Sequence, residues 1–318
     1  IVGFCSPIIS NNVITSNGWA GINPNSGSSP KIESNIIMKN GVGIFCIPNA
    51  SGTISGNTIT ENIGGGIRCH NASNPTIQGN NITANKGVGI GSDNSSPTIQ
   101  RNNITGHFPA PDCGWGAGIL CYNNSAGTIK ENSITDNSNG ITCCEHSNPS
   151  IDGNSIRNNG GGVSCLYNSS PTIRENNITA NGCGISLERS NAIVRENVIT
   201  LSNGTGIYGG NSSPIIQGNK ITSNGEYGIV FKPNCTGIIQ GNIIANNSEG
   251  IHLFDHCSPL IQGNIIKSNT DNGVYCGGSS NPEVHKNDIY SNTGYGIKND
   301  DSSITVNATN NYWGSASG

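Results

Sequence analysis

The stretch Asn74-Pro-Thr-Ile-Gln-Gly-Asn-Asn-Ile-Thr-Ala-Asn-Lys-Gly-Val-Gly-Ile90 decides how this chain of 318 residues is read. Its isoleucines Ile77, Ile82 and Ile90 stand in segments too short for helices, separated by Asn and Gly, the residues that accept tight corners. Nearly the whole chain repeats this phrase. The first isoleucine recurs at Ile9, Ile32, Ile54, Ile99, Ile129, Ile151, Ile173 and onward in steps of 21 to 23 residues, with one step of 30 between Ile99 and Ile129. That is the period of a solenoid. A second β-branched column follows five residues later (Ile14, Ile37, Ile59, Ile82, Ile104), and a third follows a Gly (Ile22, Ile44, Ile67, Ile90, Ile119). Three short strands per turn, each with one inward apolar residue, predict an all-β parallel solenoid of about 13 coils and triangular section.

Between the first two columns every complete repeat carries an Asn, among them Asn35, Asn57, Asn80, Asn102, Asn132, Asn154 and Asn176. Asn tolerates a left-handed corner, and its amide bonds the identical amide one coil above, as in stacked amide ladders. A less regular second ladder runs through Asn40, Asn62, Asn85, Asn137 and Asn159. Asn abundance is therefore architectural and no mark of catalysis.

The chain resembles the right-handed parallel β-helix repeat proteins, a family of carbohydrate-binding and sugar-hydrolase domains in secreted and surface proteins of bacteria and archaea. The likeness rests on the Pro-x-Ile-x-x-Asn-x-Ile phrase, seen at Pro171, Ile173, Asn176 and Ile178, and on the closing Asn310-Asn311-Tyr312-Trp313-Gly314. It spans essentially the whole chain and implies a single β-helix domain over 1–318, with a loop insertion near 106–116 and a C-terminal cap near 303–318. It leaves function open, because the scaffold carries lyases, hydrolases, adhesins and structural proteins alike.

Low charge (11%) would signal disorder in an aperiodic chain, but the strict columns supply a buried apolar row. The net charge of −4, with 15 Lys and Arg spread thinly, argues against a nucleic-acid partner, and no apolar run reaches the ~20 residues of a membrane span. No pattern for a cofactor is present. The first coil begins at once at Ile1, which reads as a mature or excised portion.

Twelve cysteines in an Asn- and Gly-rich chain point to an oxidising, extracellular or cell-surface setting. Cys46, Cys69, Cys121, Cys143, Cys165 and Cys276 share one inward column, where neighbouring coils stand about 4.8 Å apart, within a disulfide's Cα range. Bridges are expected for Cys46 with Cys69 and for two of Cys121, Cys143 and Cys165, unless these thiols simply fill space. Cys235 and Cys257 share another column and form the cleaner pair. The sequons at Asn49, Asn71, Asn94, Asn168, Asn211 and Asn234 fall just before the first strand, at an exposed corner, and are candidate glycosylation acceptors.

Chemistry is sought first at the break in the period, where His107, Asp112 and Trp115 offer an acid/base group, a carboxylate and a sugar-stacking ring. The outward positions of the first strand hold Arg101, Lys130, Glu131, Asp152, Arg174, Glu175, Arg195 and Glu196. Glu175 and Glu196 have the spacing of a glycosidase pair, although the alternating signs favour a surface ion-pair ladder. An outward column of the third strand holds Tyr208, His252 and Tyr275, candidates for stacking on sugar rings. His252, Asp255, His256 and Cys257 fall within six residues, yet they make no complete ligand set, and no metal is assigned.

Two functions follow. The regularity, the thiol columns and the lack of a convincing acid/base constellation favour an extracellular structural or adhesive scaffold, a sheath or filament subunit whose partners are further copies or other surface proteins. The alternative is a polysaccharide lyase, glycoside hydrolase or carbohydrate-binding β-helix.

Overall fold

The structure, a computed structural model, describes residues 4–109 and 116–314. Among these residues there are 39 strands, three to a turn, and no helix. Two compact units divide the chain, Ile1–Val163 and Ser164–Gly318. In the first unit the parallel order runs from Ile8–Ser10 to Ser150–Asp152 in the first sheet, from Val13–Thr15 to Ser155–Arg157 in the second, and from Ala20–Ile22 to Asn139–Cys143 in the third. The second unit repeats the scheme from Thr172–Arg174 to Glu283–His285, from Asn177–Thr179 to Asp288–Tyr290, and from Cys183–Glu188 to Ile297–Asn299.

Register follows the sequence period without a slip. Ile77 lies between Ile54 and Ile99, Ile82 between Ile59 and Ile104, and Ile90 between Ile67 and Ile119. All are buried, so each turn adds three apolar side chains to the core. Each is worth about 1.5–3 kcal/mol. The Gly before the third column is there for close approach: a Cβ on Gly66 would meet Gly89 O at 2.6 Å and Ile82 Cγ2 at 2.8 Å.

The Asn ladders form, with a change in detail. Asn57 Nδ2 donates to Asn80 Oδ1 and Asn80 Nδ2 to Asn102 Oδ1, each at 3.0 Å. The left-handed residue is the one before the Asn: Arg101 (φ 53°), Glu131 (φ 54°), Glu175 (φ 55°) and Glu196 (φ 57°). That residue turns the chain outward, and the next side chain then points inward, where an amide finds partners on both neighbouring turns. The sequon asparagines Asn49, Asn71, Asn94, Asn168, Asn211 and Asn234 are themselves exposed left-handed residues at the third corner. Turn geometry accounts for their recurrence.

The expected disulfides are corrected. Cys46, Cys69, Cys121, Cys165, Cys235 and Cys257 are free, buried thiols. Cys46 stands in register with Cys69, and Cys121 with Cys143, but each pair meets by a side-chain hydrogen bond. Parallel Cβ vectors on adjacent in-register strands stay about 4.8 Å apart, beyond the ~3.5–4.5 Å that a disulfide spans. Cys235 and Cys257 turn out to belong to a serine ladder. The Ser73 amide donates to Ser95 Oγ, Ser190 to Ser212 Oγ, Ser212 to Cys235 Sγ (3.4 Å), Cys235 to Cys257 Sγ (3.3 Å) and Cys257 to Ser280 Oγ. These sulfurs stand in for hydroxyls as acceptors.

At the C-terminal side Trp313 lies against Gly296, Tyr312 bridges Asp288, and Asn311 Oδ1 accepts Asn287 Nδ2 as the last ladder member. Residues 315–318 of the expected cap lie outside the described residues.

Candidate functional site

The third sheet has the longest strands, six residues at Val88–Asp93, Ala117–Tyr122 and Tyr227–Lys232. Positions one and three residues after each inward Ile therefore both face outward, and two rows of side chains stack along the face. In the first unit the rows read Arg68, Gly91, Leu120 and His70, Asp93, Tyr122, all in parallel register. Together with Val88, Ser92 and Glu145 they line a groove of about 420 Å³. A Cβ on Gly91 would press on Val88 Cγ2 at 3.3 Å, so the missing side chain is what opens the floor.

Within this groove His70 Nδ1 lies 3.1 Å from Asp93 Oδ2, and Asn123 Nδ2 donates to Asp93 Oδ1 at 3.1 Å. The Phe45 ring meets His70 edge-on at 5.0 Å and shields it from one side. Desolvation lowers the His70 pKa and outweighs the raising charge of Asp93, while Arg68 lowers it further. The imidazole is thus neutral near pH 7 and fixed in one tautomer. The charge of Glu145, which is also hydrogen-bonded to the phenol, pushes the Tyr122 pKa up and keeps it protonated. Arg68 Nε is buried without an acceptor. A groove holding a positioned base, a held phenol and an idle guanidinium is equipped for proton transfer beside an anion.

The second unit has a different cleft on the same sheet, also about 420 Å³, lined by Glu226, Tyr227, Ser248, Glu249, His252, Asp271, Asn272, Tyr275 and Lys298. Glu249 (5% exposed) accepts at one oxygen from His252 Nδ1 and at the other from Asn272 Nδ2 at 2.7 Å. The His252 ring is sandwiched by Phe254 at 3.9 Å and Tyr275 at 4.3 Å, with Tyr227 edge-on at 4.8 Å. The Tyr275 hydroxyl donates to Asp300, and that bond raises the phenol's pKa to about 12. Lys298 Nζ sits 3.4 Å from the same carboxylate.

The structure sorts the sequence candidates unevenly. His252 and Tyr275 come together as expected of one column, yet His252 is buried and not an exposed platform. Tyr208 stands apart, beyond buried Val230, with its hydroxyl 3.3 Å from Glu188 Oε2. His107 is corrected from loop acid/base to ladder member: it is fully buried, its ring nitrogens lie 3.1 Å from Asn85 O and Ile82 O, and its amide donates to Asn137 Oδ1. It fills the place that Asn holds in neighbouring turns. Asp112 and Trp115 lie outside the described residues. Glu175 and Glu196 are exposed on the corner and line neither cavity, and the expected ion-pair ladder is represented by Arg101 with Glu131 at 2.6 Å. Reading the chain missed Arg68, His70, Asp93 and Tyr122. The signal was available: the position three residues after the third-column Ile holds His, Asp and Tyr in three successive turns.

Among the described residues no group of three or more His, Cys, Asp or Glu side chains is placed to hold a metal ion. No match was found among the curated protein sequences. Of solved structures, a periplasmic alginate epimerase, AlgG, superposes with a TM-score of 0.66 at 15% identity, over 86% of this chain and 77% of that one. The catalytic domain of a GH87 α-1,3-glucanase superposes at 0.57 with 12% identity, over 91% of this chain and 64% of that one. These likenesses establish the fold. The profile described as "Right handed beta helix region" matches residues 1–125, and that described as "Periplasmic copper-binding protein (NosD)" matches 111–259 and 237–314. With that profile covering more than half of its length, and a parallel β-solenoid beneath it, the chain belongs to the NosD family of β-helix proteins.

Proposed function

We propose that this protein processes an acidic polysaccharide in the groove of its first unit, by proton transfer at the carbon beside a uronate carboxylate. The observation that carries the reading is the convergence of idle Arg68, neutral His70 fixed by Asp93, and protonated Tyr122 on one groove. The polysaccharide-acting β-helix enzymes with which the chain shares its fold add support, and weight moves from the scaffold reading to its alternative. The periplasmic setting named for AlgG and for the family supports a location outside the cytoplasm, secreted or periplasmic.

In the proposed reaction Arg68 receives the sugar carboxylate bidentately. Asp93 holds the Nδ1 proton of His70, so Nε2 is the base and takes the proton from the adjacent ring carbon. The electron pair left on that carbon delocalises into the carboxylate, where the guanidinium stabilises it. Tyr122 then returns a proton, to the opposite face of the carbon in epimerisation or to the departing glycosidic oxygen in elimination. Copper, named in the family's description, finds no donor set among the described residues, and the reaction uses none.

The test is incubation with polyuronates and neutral glycans in D2O, read by deuterium at the recovered ring carbon and by unsaturated chain ends. Exchange or elimination on a polyuronate alone, lost by about 10²–10⁴-fold in His70→Gln, is expected. Neither product from any polyuronate would overturn the proposal.

A further inference from the structure

We infer that the cleft of the second unit is a separate binding site for an amino-bearing saccharide, one whose ring carries a protonated amine. The argument rests on which polar atoms there are already used. Both oxygens of buried Glu249 accept, one from Asn272 and one from His252 Nδ1–H, a bond that in the neutral ring places the lone pair on His252 Nε2. His252 is 8% exposed, lines the cleft, and its Nε2 has no partner. A buried nitrogen with an unused lone pair asks for a donor.

The rim asks for the same thing. Glu226 and Asp271 line the cleft with neither in an ion pair among the described residues, while Lys298 is held 3.4 Å from Asp300 and 5.2 Å above the Tyr275 ring. The unpaired carboxylates and His252 Nε2 are thus acceptors, and the summed charge of the lining is negative. An ammonium on a sugar ring meets each requirement: a cation for Glu226 and Asp271, a donor for His252 Nε2, and an apolar ring face for Tyr227. A carboxylated sugar, suited to Arg68 in the first unit, is repelled here.

Calorimetric titration of the whole chain with a glucosamine tetramer, its N-acetylated counterpart, a neutral glucose tetramer and a free diamine separates the cases. Binding of the glucosamine tetramer at least about tenfold tighter than the acetylated and neutral tetramers is expected. Glu226→Gln and Asp271→Asn, both at exposed positions, each weaken it by about fivefold or less, and the double variant by more. His252→Asn abolishes the preference; if that variant fails to fold, the rim variants decide. Equal affinity for amine and acetylated tetramers, an unchanged double variant, or diamine binding as strong as tetramer binding would each overturn the assignment. These readouts need no turnover, so the fate of the first unit's groove leaves them intact.

Discussion

The groove of the first unit and the cleft of the second each lie on third-sheet strands, share the row one residue after the inward apolar position, and have nearly the same volume, yet they present opposite chemistry. In the groove the acids are taken up internally: Asp93 orients His70, Glu145 holds the Tyr122 proton, and the guanidinium is left idle. In the cleft Lys298 is taken up by Asp300 and His252 Nδ1 by Glu249, which leaves the carboxylates of Glu226 and Asp271 without an ion pair among the described residues and His252 Nε2 without a partner. The comparison teaches that a solenoid face takes its specificity from which charges are neutralised within a row. The identity of the charges that line it does not settle the matter.

The largest effect that separates the two sites is His70→Gln, with polyuronate turnover down by about 10²–10⁴-fold, while Glu175→Gln and Glu196→Gln on the exposed corner leave turnover within twofold or so. Comparable losses at Glu175 or Glu196 would move the chemistry to the first sheet. Next in size, Arg68→Gln is expected to raise KM for a polyuronate by about tenfold or more and to flatten its salt dependence, since an idle guanidinium contributes both charge and fork geometry. Arg68→Lys restores the salt dependence but not the affinity.

The acid limb of turnover sharpens the contrast further. His70 is depressed by burial, so activity falls with acid below the ordinary imidazole range. Asp93→Asn removes a raising charge and moves the limb to lower pH, whereas Arg68→Gln removes a lowering charge and moves it to higher pH. By linkage, the neutral His70 contributes stability above the unfolded imidazole value, and that contribution is lost as pH falls below it. A limb unmoved by both substitutions would exclude His70 as the base. The smallest effect expected is none: thermal unfolding with and without reductant should coincide, because Cys235 and Cys257 act as ladder acceptors and the Cys46–Cys69 pair is unbridged. A drop of several degrees on reduction would show that the thiol columns are stapled after all.

Periodicity made the fold legible. Once Ile77, Ile82 and Ile90 are seen to recur, stacking follows, and Ile77 does lie in register with Ile54 and Ile99. The site was less legible for a physical reason. A repeat advertises inward residues, which must recur to fill a core, whereas outward residues recur only by function and look like noise along one turn. His70, Asp93 and Tyr122 are 23 and 29 residues apart in the chain and become neighbours only through the register. His107 misled in the opposite sense: a lone His beside an insertion suggests chemistry, and only its two carbonyl partners reveal a ladder substitute. The sulfurs of Cys235 and Cys257 misled likewise, since a shared column is necessary for a bridge but does not bring the Cβ atoms close enough.

What the amino-acid order determined unaided is the class of the molecule: an all-β solenoid with three strands per turn, an inward apolar row, amide ladders and a Gly ahead of the third column. Those are local or strictly periodic requirements, satisfied within one turn and its neighbours. Tertiary structure alone decided which side chain stands left-handed at the corner, which thiols and which histidine serve as ladder acceptors, and which charges on the third sheet are already neutralised. Each of these depends on distances between turns of a few ångströms, which a repeat length fixes in register but not in geometry.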